Sequence, residues 1–244
     1  MPEMKTPFIG AVSIARFISK SGFCSYKDAV KAVNSSLVTL NGAPVSDYWH
    51  PVHSENDVVR VNGIQITHAG KRKYFALHKP VGYISSHSSS EGYPSIYDLV
   101  KKNGIEDWVT TAGRLDVDTS GLMILTNDSA FVRSLSHPET KIKKVYELLL
   151  DGNIDDQQLL PFRNGVLLGN GYTCLPADYE IVARNNDTTI VNLTLTEGKK
   201  RQIRRMCKVM RLNLLALKRI QLGKYKLENL QPGDCHEIQK SDII

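Results

Sequence analysis

An arginine and an aspartate stand between two glycines near the middle of the chain, directly ahead of an apolar run. The segment reads A-G-R-L-D-V-D-T-S-G from Ala112 to Gly121, and the run continues from Leu122 to Thr126. Glycine lets a backbone turn sharply or approach a ligand closely, and a buried strand after the turn would hold it still. Packing alone does not explain charged residues between glycines, so we interpret Asp116 as a candidate catalytic side chain.

Other interpretations of Asp116 stay open on the residues alone. An isolated aspartate after glycine commonly caps the backbone of its own turn. A second acid, Asp118, stands two positions along. A metal site needs several converging ligands, and the sequence has no H-x-x-x-H or EF-hand pattern, so we predict no metal. The two carboxylates are too close in sequence to settle the geometry of a glycosidase pair.

A basic segment lies much further along the chain. It reads E-G-K-K-R-Q-I-R-R-M-C-K from Glu197 to Lys208 and carries six cations in ten residues. A helix predicted over Arg201 to Met210 places on one face Arg201, Arg204, Arg205 and Lys208. A solvated charge run usually mixes signs, so an all-cationic face beside a glycine turn favours phosphate binding.

The elements that must position these side chains alternate irregularly between strands and short helices. Strands are predicted at Tyr74 to Leu77, Leu122 to Thr126, Val145 to Leu150, Tyr179 to Ala183, Thr189 to Thr196 and Leu214 to Ile220. Helices are predicted at Ser129 to Ser136, Asp155 to Phe162 and Arg201 to Met210. This order favours an α+β domain around a mixed, mainly antiparallel sheet.

The first 67 residues predict a smaller ααβ unit. One helix ends near Gly22, a second runs from Ser25 to Val33 with a capping residue at its start, and N-G turns at Asn41 and Asn62 predict two hairpins. Cations that could face phosphates lie on the two helices at Arg16, Lys20, Lys27 and Lys31. The arrangement resembles the alpha-L RNA-binding module first seen in a ribosomal small-subunit protein.

A polar, basic stretch separates this unit from the rest of the chain. It reads T-H-A-G-K-R-K from Thr67 to Lys73, a composition typical of a linker. We therefore predict a domain at 10–67, a linker at 68–73 and a larger domain at 74–244.

Composition narrows the partners and the compartment. Lys and Arg number 31 against 25 Asp and Glu, and the isoelectric point is near 9.0, which favours a polyanionic partner. The four cysteines are far apart and form no C-x-x-C pair, so neither a zinc site nor a disulfide framework is predicted. The apolar stretch from Pro7 to Ala15 is too short to cross a membrane, and we expect a cytoplasmic protein.

Four separated motifs resemble one family. They are H-K-P-V-G-Y from His78 to Tyr83, G-R-L-D-V-D-T-S-G-L from Gly113 to Leu122, K-K-V-Y-E-L from Lys143 to Leu148 and E-G-K-K-R-Q-I-R-R-M from Glu197 to Met206. In this order they look like the pseudouridine synthases that modify ribosomal RNA, in the branch with an N-terminal alpha-L module. The resemblance implies an alpha-L RNA-binding domain at 10–67 and a synthase domain at 74–244 that needs no cofactor.

The resemblance also implies a role for individual residues. Asp116 matches the aspartate that starts isomerisation of a flipped uridine, Tyr146 matches the tyrosine that lies against the base, and Arg204 matches the basic residue that pairs with the aspartate. Arg114 would reach into the RNA near the vacated base. Phosphates would be held by Lys199, Lys200, Arg201 and Arg205.

The implied partner is ribosomal RNA or an assembling ribosomal subunit, bound by a monomer. The short C-terminus and the segment from Lys71 to Tyr83 favour the small-subunit RNA as target. A synthase of large-subunit RNA, a tRNA-directed synthase and a catalytically inactive ribosome-assembly factor are the alternatives.

Overall fold

The computed structural model describes residues 11–53, 56–66, 72–87, 92–136, 138–169 and 171–244. Contacts between backbone positions divide the chain into two compact units. The first comprises the described residues up to Lys73 with two short segments, Asp107–Thr110 and Thr126–Ser129, and the remaining described residues form the second. In the described ranges, no helix is long and apolar enough to span a bilayer.

Only the last two residues of the predicted linker, 68–73, are described. Arg72 pairs with Asp128 at 3.3 Å, and the Lys73 ammonium pairs with Asp107 at 2.6 Å, all within the first unit. The described end of the predicted linker is therefore anchored, and residues 68–71 lie outside the described residues.

The first unit packs two short helices against small sheets. Its elements are β1 (Val12–Ser13), α1 (Ile14–Lys20), α2 (Tyr26–Asn34), β2 (Val38–Leu40), β3 (Ala43–Pro44), β4 (Pro51–Val52), β5 (Val59–Val61) and β6 (Ile64–Ile66). The apolar residues that predicted α1, namely Ile14, Phe17 and Ile18, are buried in the core of this unit. The predicted helices are confirmed, because apolar residues at helical spacing turn one face to the core.

Local signals also set the ends of these elements. The Ser25 hydroxyl accepts a hydrogen bond from the Asp28 backbone N–H at 3.0 Å and caps α2. The two predicted hairpins form at the N-G dipeptides, where Asn41 and Asn62 adopt φ of 52° and 49°. Positive φ at both turn residues suits the twist of a two-residue hairpin.

From Tyr74 onward, one large sheet dominates. The strands are β7 (Tyr74–Lys79), β8 (Thr110–Thr111), β9 (Ser120–Thr126), β10 (Lys144–Asp151), β11 (Asp178–Arg184), β12 (Thr188–Leu195), β13 (Leu214–Leu222), β14 (Tyr225–Lys226) and β15 (Cys235–Ile238). The α-helices are α3 (Ile96–Lys102), α4 (Ser129–Ser136), α5 (Asp156–Asn164) and α6 (Gln202–Val209). Short 3₁₀ helices lie at Pro138–Thr140 and Lys240–Asp242.

The main path of the sheet follows the order β11, β12, β10, β13, β9, β7, β15, with β14 beside β13 and β8 beside β9. Strand β13 runs parallel to β9 and antiparallel to β10, so the sheet is mixed. The predicted α+β class is confirmed, as are the strands and helices predicted from Tyr74 onward. Helix α3 and strand β15 were not predicted.

One face of β10 builds the core beneath the candidate site. Leu148 and Leu150 are fully buried, and the same cluster contains Leu217 of β13 and Met206 of α6. Because side chains alternate along a strand, Tyr146 lies on this same face, one step before Leu148. Tyr146 is only partly buried and packs against this cluster, so it lies at the edge of the core.

Strand β9 approaches β13 unusually closely at Gly121. A Cβ atom built there would lie 2.3 Å from the Arg219 carbonyl oxygen, and the Gly121 φ is 111°. No other residue fits this contact without moving one of the strands. The start of β9, which follows the predicted catalytic segment, is thereby fixed against β13.

Candidate functional site

The predicted catalytic aspartate lies in a loop between β8 and β9, which we call the acid-bearing loop (Ala112–Thr119). Ser85 holds it from one side, since its hydroxyl donates to the Leu115 carbonyl at 2.8 Å and accepts from the Leu115 N–H at 3.2 Å. The Thr119 N–H donates to the Asp116 carbonyl at 3.1 Å and closes a tight turn. Asp116 therefore stands on a loop whose backbone is bonded on both sides.

A buried lysine lies beneath this loop. Lys79, the last residue of β7, is fully buried, and its ammonium donates to the carbonyls of Thr119 at 2.7 Å, Pro80 at 2.9 Å and Val117 at 3.5 Å. Burial lowers the pKa of Lys79 to about 8, against the opposing charges of Asp118 and Asp116. Three acceptors match the three donors of an ammonium, which is how a cation is tolerated in a core.

The three candidate catalytic residues meet at one pocket of about 270 Å³. Asp116 lies on one wall, Tyr146 projects from β10, and Arg204 projects from α6. The other lining residues lie in the acid-bearing loop, between β12 and α6, at the start of α6, and in β12 and β13: Arg114, Leu115, Thr119, Leu195, Gly198, Lys199, Lys200, Arg201, Gln202, Ile203 and Leu217.

The ion pairs at this pocket differ from the expected arrangement. Arg204 was expected to pair with Asp116, but its Nε lies 3.2 Å from Asp118 Oδ2 and its Nη2 donates to the Asp118 carbonyl at 2.7 Å. The Nε contact is an ion pair without hydrogen-bond geometry. Among the described residues, the cation that pairs with the Asp116 carboxylate is Arg201, whose Nη1 lies 3.7 Å from Asp116 Oδ2.

Arg201 was expected to hold phosphate, and in this structure its side chain binds Asp118. Its guanidinium donates to both Asp118 oxygens, at 2.9 and 3.3 Å, the fork geometry of a strong arginine–carboxylate pair. Burial would raise the pKa of Asp118, but hydrogen bonds from Arg201 and the charges of Arg204 and Arg201 outweigh it and lower the pKa. Asp118 is thus the shared partner of two arginines.

The backbone of Arg201 is unusual. It precedes α6 with φ of 49° and ψ of 37°, the left-handed region that favours glycine. We call the segment that contains Arg201 and leads into α6 the cationic turn (Glu197–Gln202). Lys199 and Lys200 are exposed on this turn and line the pocket together with Arg201.

The structure assembles only part of the predicted binding set at the pocket. Arg114 lines it, whereas Arg205 is half-buried and does not. The remaining predicted cations lie exposed on α1 and in or near α2 of the first unit, and they are Arg16, Lys20, Lys27 and Lys31. They belong to the first unit, whereas the pocket belongs to the second.

Two residues of the site were missed from the sequence. Lys79 ends a strand whose other residues are largely apolar, and in the sequence it contributes only to the H-K-P-V-G-Y motif of the family resemblance. A lysine in a buried strand is itself a signal, because an uncompensated charge there is costly. Asp118 was considered only as a possible metal ligand or glycosidase acid, and its partners come from more than eighty residues away.

The geometry suits chemistry at a flat, anionic ligand. The Asp116 side chain is 42% exposed, so its carboxylate reaches the pocket and can attack or deprotonate a bound group. Tyr146 offers an aromatic surface next to it, and the cations of both loops surround the opening. Among the described residues, no three His, Cys, Asp or Glu side chains converge as metal ligands.

Comparison with known proteins gives consistent matches. Residues 73–208 match the family model described as RNA pseudouridylate synthase. A protein of Aquifex aeolicus named as an uncharacterized RNA pseudouridine synthase is 33% identical, over 95% of this chain and 92% of its own length. The ribosomal large subunit pseudouridine synthase B of Bacillus subtilis is 31% identical, over 94% of this chain and 93% of its own length.

A solved structure agrees with the sequence matches. A crystal structure of a pseudouridylate synthase superposes with a TM-score of 0.66 at 28% identity, covering 95% of this chain and 98% of the other. The similarity therefore includes the first unit as well as the residues of the family model.

Proposed function

The chain belongs to the RNA pseudouridylate synthase family and is an isomerase, and we propose on that premise that it converts a specific uridine of ribosomal RNA to pseudouridine. The observation that carries the proposal is the single pocket shared by Asp116, Tyr146 and the exposed cations of Lys199 and Lys200. It combines an accessible carboxylate, an aromatic face and a positive rim. A nucleotide brought out of an RNA stack needs these three features.

In the proposed reaction, Asp116 starts the isomerisation of the flipped uridine. The bond between uracil N1 and ribose C1′ breaks, the base turns, and uracil C5 forms a new bond to C1′. The C5 proton leaves and N1 gains a proton, so the product is an isomer of the substrate. Tyr146 lies against the base and keeps it near the ribose while it is detached.

Arg204 supports the acid-bearing loop in this proposal. In the structure it binds the Asp118 carbonyl and carboxylate, two residues from Asp116. Its support for Asp116 therefore runs through the loop in this state, and a direct pair with the Asp116 carboxylate would need its guanidinium to move. Either arrangement helps to hold the acid in one direction.

We assign RNA contacts to two groups of cations. Near the pocket they are Arg114, Lys199, Lys200, Arg201 and Arg205. In the proposed alpha-L domain at 10–67 they are Arg16, Lys20, Lys27 and Lys31. Since phosphate contacts position RNA without reading its sequence, the second group would add affinity to the catalytic domain at 74–244.

Two targets have separate support. The segment from Lys71 to Tyr83 favours small-subunit RNA, whereas the similarity over 94% of this chain to a large-subunit synthase of Bacillus subtilis favours large-subunit RNA. We propose a monomer that acts in the cytoplasm on one of these RNAs or on the assembling subunit.

The test is to incubate the protein with ribosomal RNA from a strain that lacks it and to map pseudouridines at single-nucleotide resolution. We expect one new site with the wild-type protein and none with Asp116→Asn. Absence of any new site in free RNA and in assembling subunits, or full activity of Asp116→Asn, would refute the proposal. RNA binding without turnover by the wild type would instead indicate an inactive assembly factor.

A further inference from the structure

A buried glutamate lies at the base of the cationic turn. Glu197 is only 9% exposed. Its Oε2 accepts a hydrogen bond from the Tyr172 hydroxyl at 2.5 Å, and its Oε1 accepts from the Leu175 N–H at 2.9 Å and from Gln202 Nε2 at 2.6 Å. A carboxylate with three donors is held in one orientation.

Gln202 connects this carboxylate to the turn itself. It is 4% exposed, and its side-chain Oε1 accepts from the Lys199 N–H at 3.0 Å while its backbone N–H donates to the Lys199 carbonyl at 3.1 Å. Glu197 orients the amide of Gln202, and that amide closes the turn. The path from the buried acid to the backbone of Lys199 is thus two hydrogen bonds long.

Tyr172 reaches the turn by a second path. The Lys199 ammonium lies 5.0 Å from the centre of the Tyr172 ring, within the range of a cation–π contact. The hydrogen bond to Glu197 raises the pKa of Tyr172 to about 12, so the hydroxyl keeps its proton and continues to donate. Tyr172 therefore contacts both the buried acid and the first cation of the turn.

The cations of the turn need such support. Lys199, Lys200 and Arg201 are consecutive and exposed, and like charges at this spacing repel one another. An unsupported turn would spread over many conformations, and each would place the charges differently. A buried negative charge at its base offsets the repulsion and selects one arrangement.

We propose that Glu197 and Tyr172 are positioning residues that fix the cationic turn in the geometry that binds RNA phosphates beside the target nucleotide. The inference rests on the proposed function, because it assigns the turn to RNA. Neither residue lines the pocket. They act through Gln202 and Lys199, and their removal changes where the charges lie without removing any cation.

The test measures the turn and its RNA affinity separately. Tyr172→Phe, Glu197→Gln and Glu197→Ala are made in the Asp116→Asn background, and affinity is measured for a labelled single-stranded RNA of mixed sequence. Hydrogen exchange of the peptide spanning 198–203 reports the order of the turn. The same three variants with Asp116 intact give kcat and KM on ribosomal RNA transcripts.

We expect Glu197→Ala to weaken RNA affinity about tenfold and Tyr172→Phe about threefold, with faster exchange in the turn and kcat within about twofold. Glu197→Gln, which keeps an acceptor for two of the donors, should recover part of the loss. Tyr179→Phe is the matched control, because it deletes a tyrosine hydroxyl that donates to the Asp156 carbonyl in the same core.

Unchanged affinity and exchange in these variants would overturn the inference, and so would an equal loss in Tyr179→Phe. If Glu197→Ala does not fold, the other two variants decide by the same criteria. A wild-type protein that makes no pseudouridine would refute the proposed function alone, since affinity and exchange would still test the turn.

Discussion

The acid-bearing loop and the cationic turn are held by buried charges of opposite sign. Lys79 lies under the loop that carries Asp116, and Glu197 lies under the turn that carries three cations. In each case the buried charge is opposite to the charge displayed above it. Each buried charge therefore attracts the charged side chains displayed above it.

The two anchors differ in how they hold the chain. The Lys79 ammonium binds the carbonyls of Val117 and Thr119 directly. Glu197 reaches the backbone of Lys199 through the side chain of Gln202. Direct bonds to the backbone leave less freedom than a chain of side-chain contacts. We therefore expect the acid-bearing loop to be more rigid than the cationic turn.

The largest expected effect comes from removing Lys79, which binds the backbone of the acid-bearing loop directly. Lys79→Met leaves the carbonyls of the loop without their donor, and we expect turnover to fall on the order of 100-fold. Stability should change less, since losing a buried charge offsets part of the lost bonding. Single-turnover rates and urea unfolding measure the two quantities, with the exposed Lys226→Met as the control. A fully active Lys79→Met would show that the loop keeps its shape without the anchor.

The second-largest expected effect comes from substituting Asp118, whose carboxylate links the acid-bearing loop to the cationic turn. Asp118→Asn removes the carboxylate that pairs with Arg201 and Arg204 and leaves only the Arg204 hydrogen bond to the backbone carbonyl, and we expect about a tenfold loss of turnover because the surroundings of Asp116 are less ordered. The Asp118–Arg201 pair is more than a third exposed, so its coupling should be only about 0.5 to 1 kcal/mol in a double-mutant cycle with Arg201→Gln. A coupling near zero would mean that Arg201 does not link the loop and the turn.

A pH titration separates the anchor's effects on activity and stability. With a folded-state pKa of about 8, the Lys79 ammonium loses its proton as the pH rises, and activity should fall about fourfold from pH 7 to 8.5. Lysine in the unfolded chain titrates near 10.4, so the unfolded state binds more protons between about pH 8 and 10.4.

The contribution of Lys79 to stability should therefore increase with pH over that window, in the opposite direction to activity. The unfolding free energy and the rate are measured across pH 7 to 10 in wild type and Lys79→Met. If the activity of Lys79→Met falls at alkaline pH as much as that of the wild type, the fall must be assigned to another group.

The smallest expected effect comes from removing charges of the cationic turn. The double substitution Lys199→Gln and Lys200→Gln removes two phosphate contacts, and we expect the slope of log affinity against log salt to fall by about 1.4 on single-stranded RNA. Lys101→Gln with Lys102→Gln, two exposed lysines at the end of α3, is the matched control. An equal change in both pairs would indicate a diffuse effect of net charge.

The sequence was sufficient for features set by local pattern. Strand β12 and the N-G hairpins were predicted because each depends on residues that are neighbours in the chain. Helix α3 was missed although Ser95 and Asp98 form a capping box at its start. That S-x-x-D signal was present and could have been used.

The ion pairs could not be predicted in the same way. Asp116 and Asp118 are two residues apart, and which of them meets Arg204 depends on how the loop turns between them. Lys79 binds this loop across about forty positions of sequence. Such contacts follow from the packing of β7, β9 and α6, which local sequence does not encode.

The left-handed backbone of Arg201 bears on how this site could change over generations. A glycine there would relax the backbone by about 1 kcal/mol, but it would lose both contacts to Asp118, which are worth about 0.5 to 1 kcal/mol. The two effects on stability nearly cancel. Selection for stability alone would therefore scarcely distinguish Arg201 from glycine, whereas selection for turnover would retain the arginine.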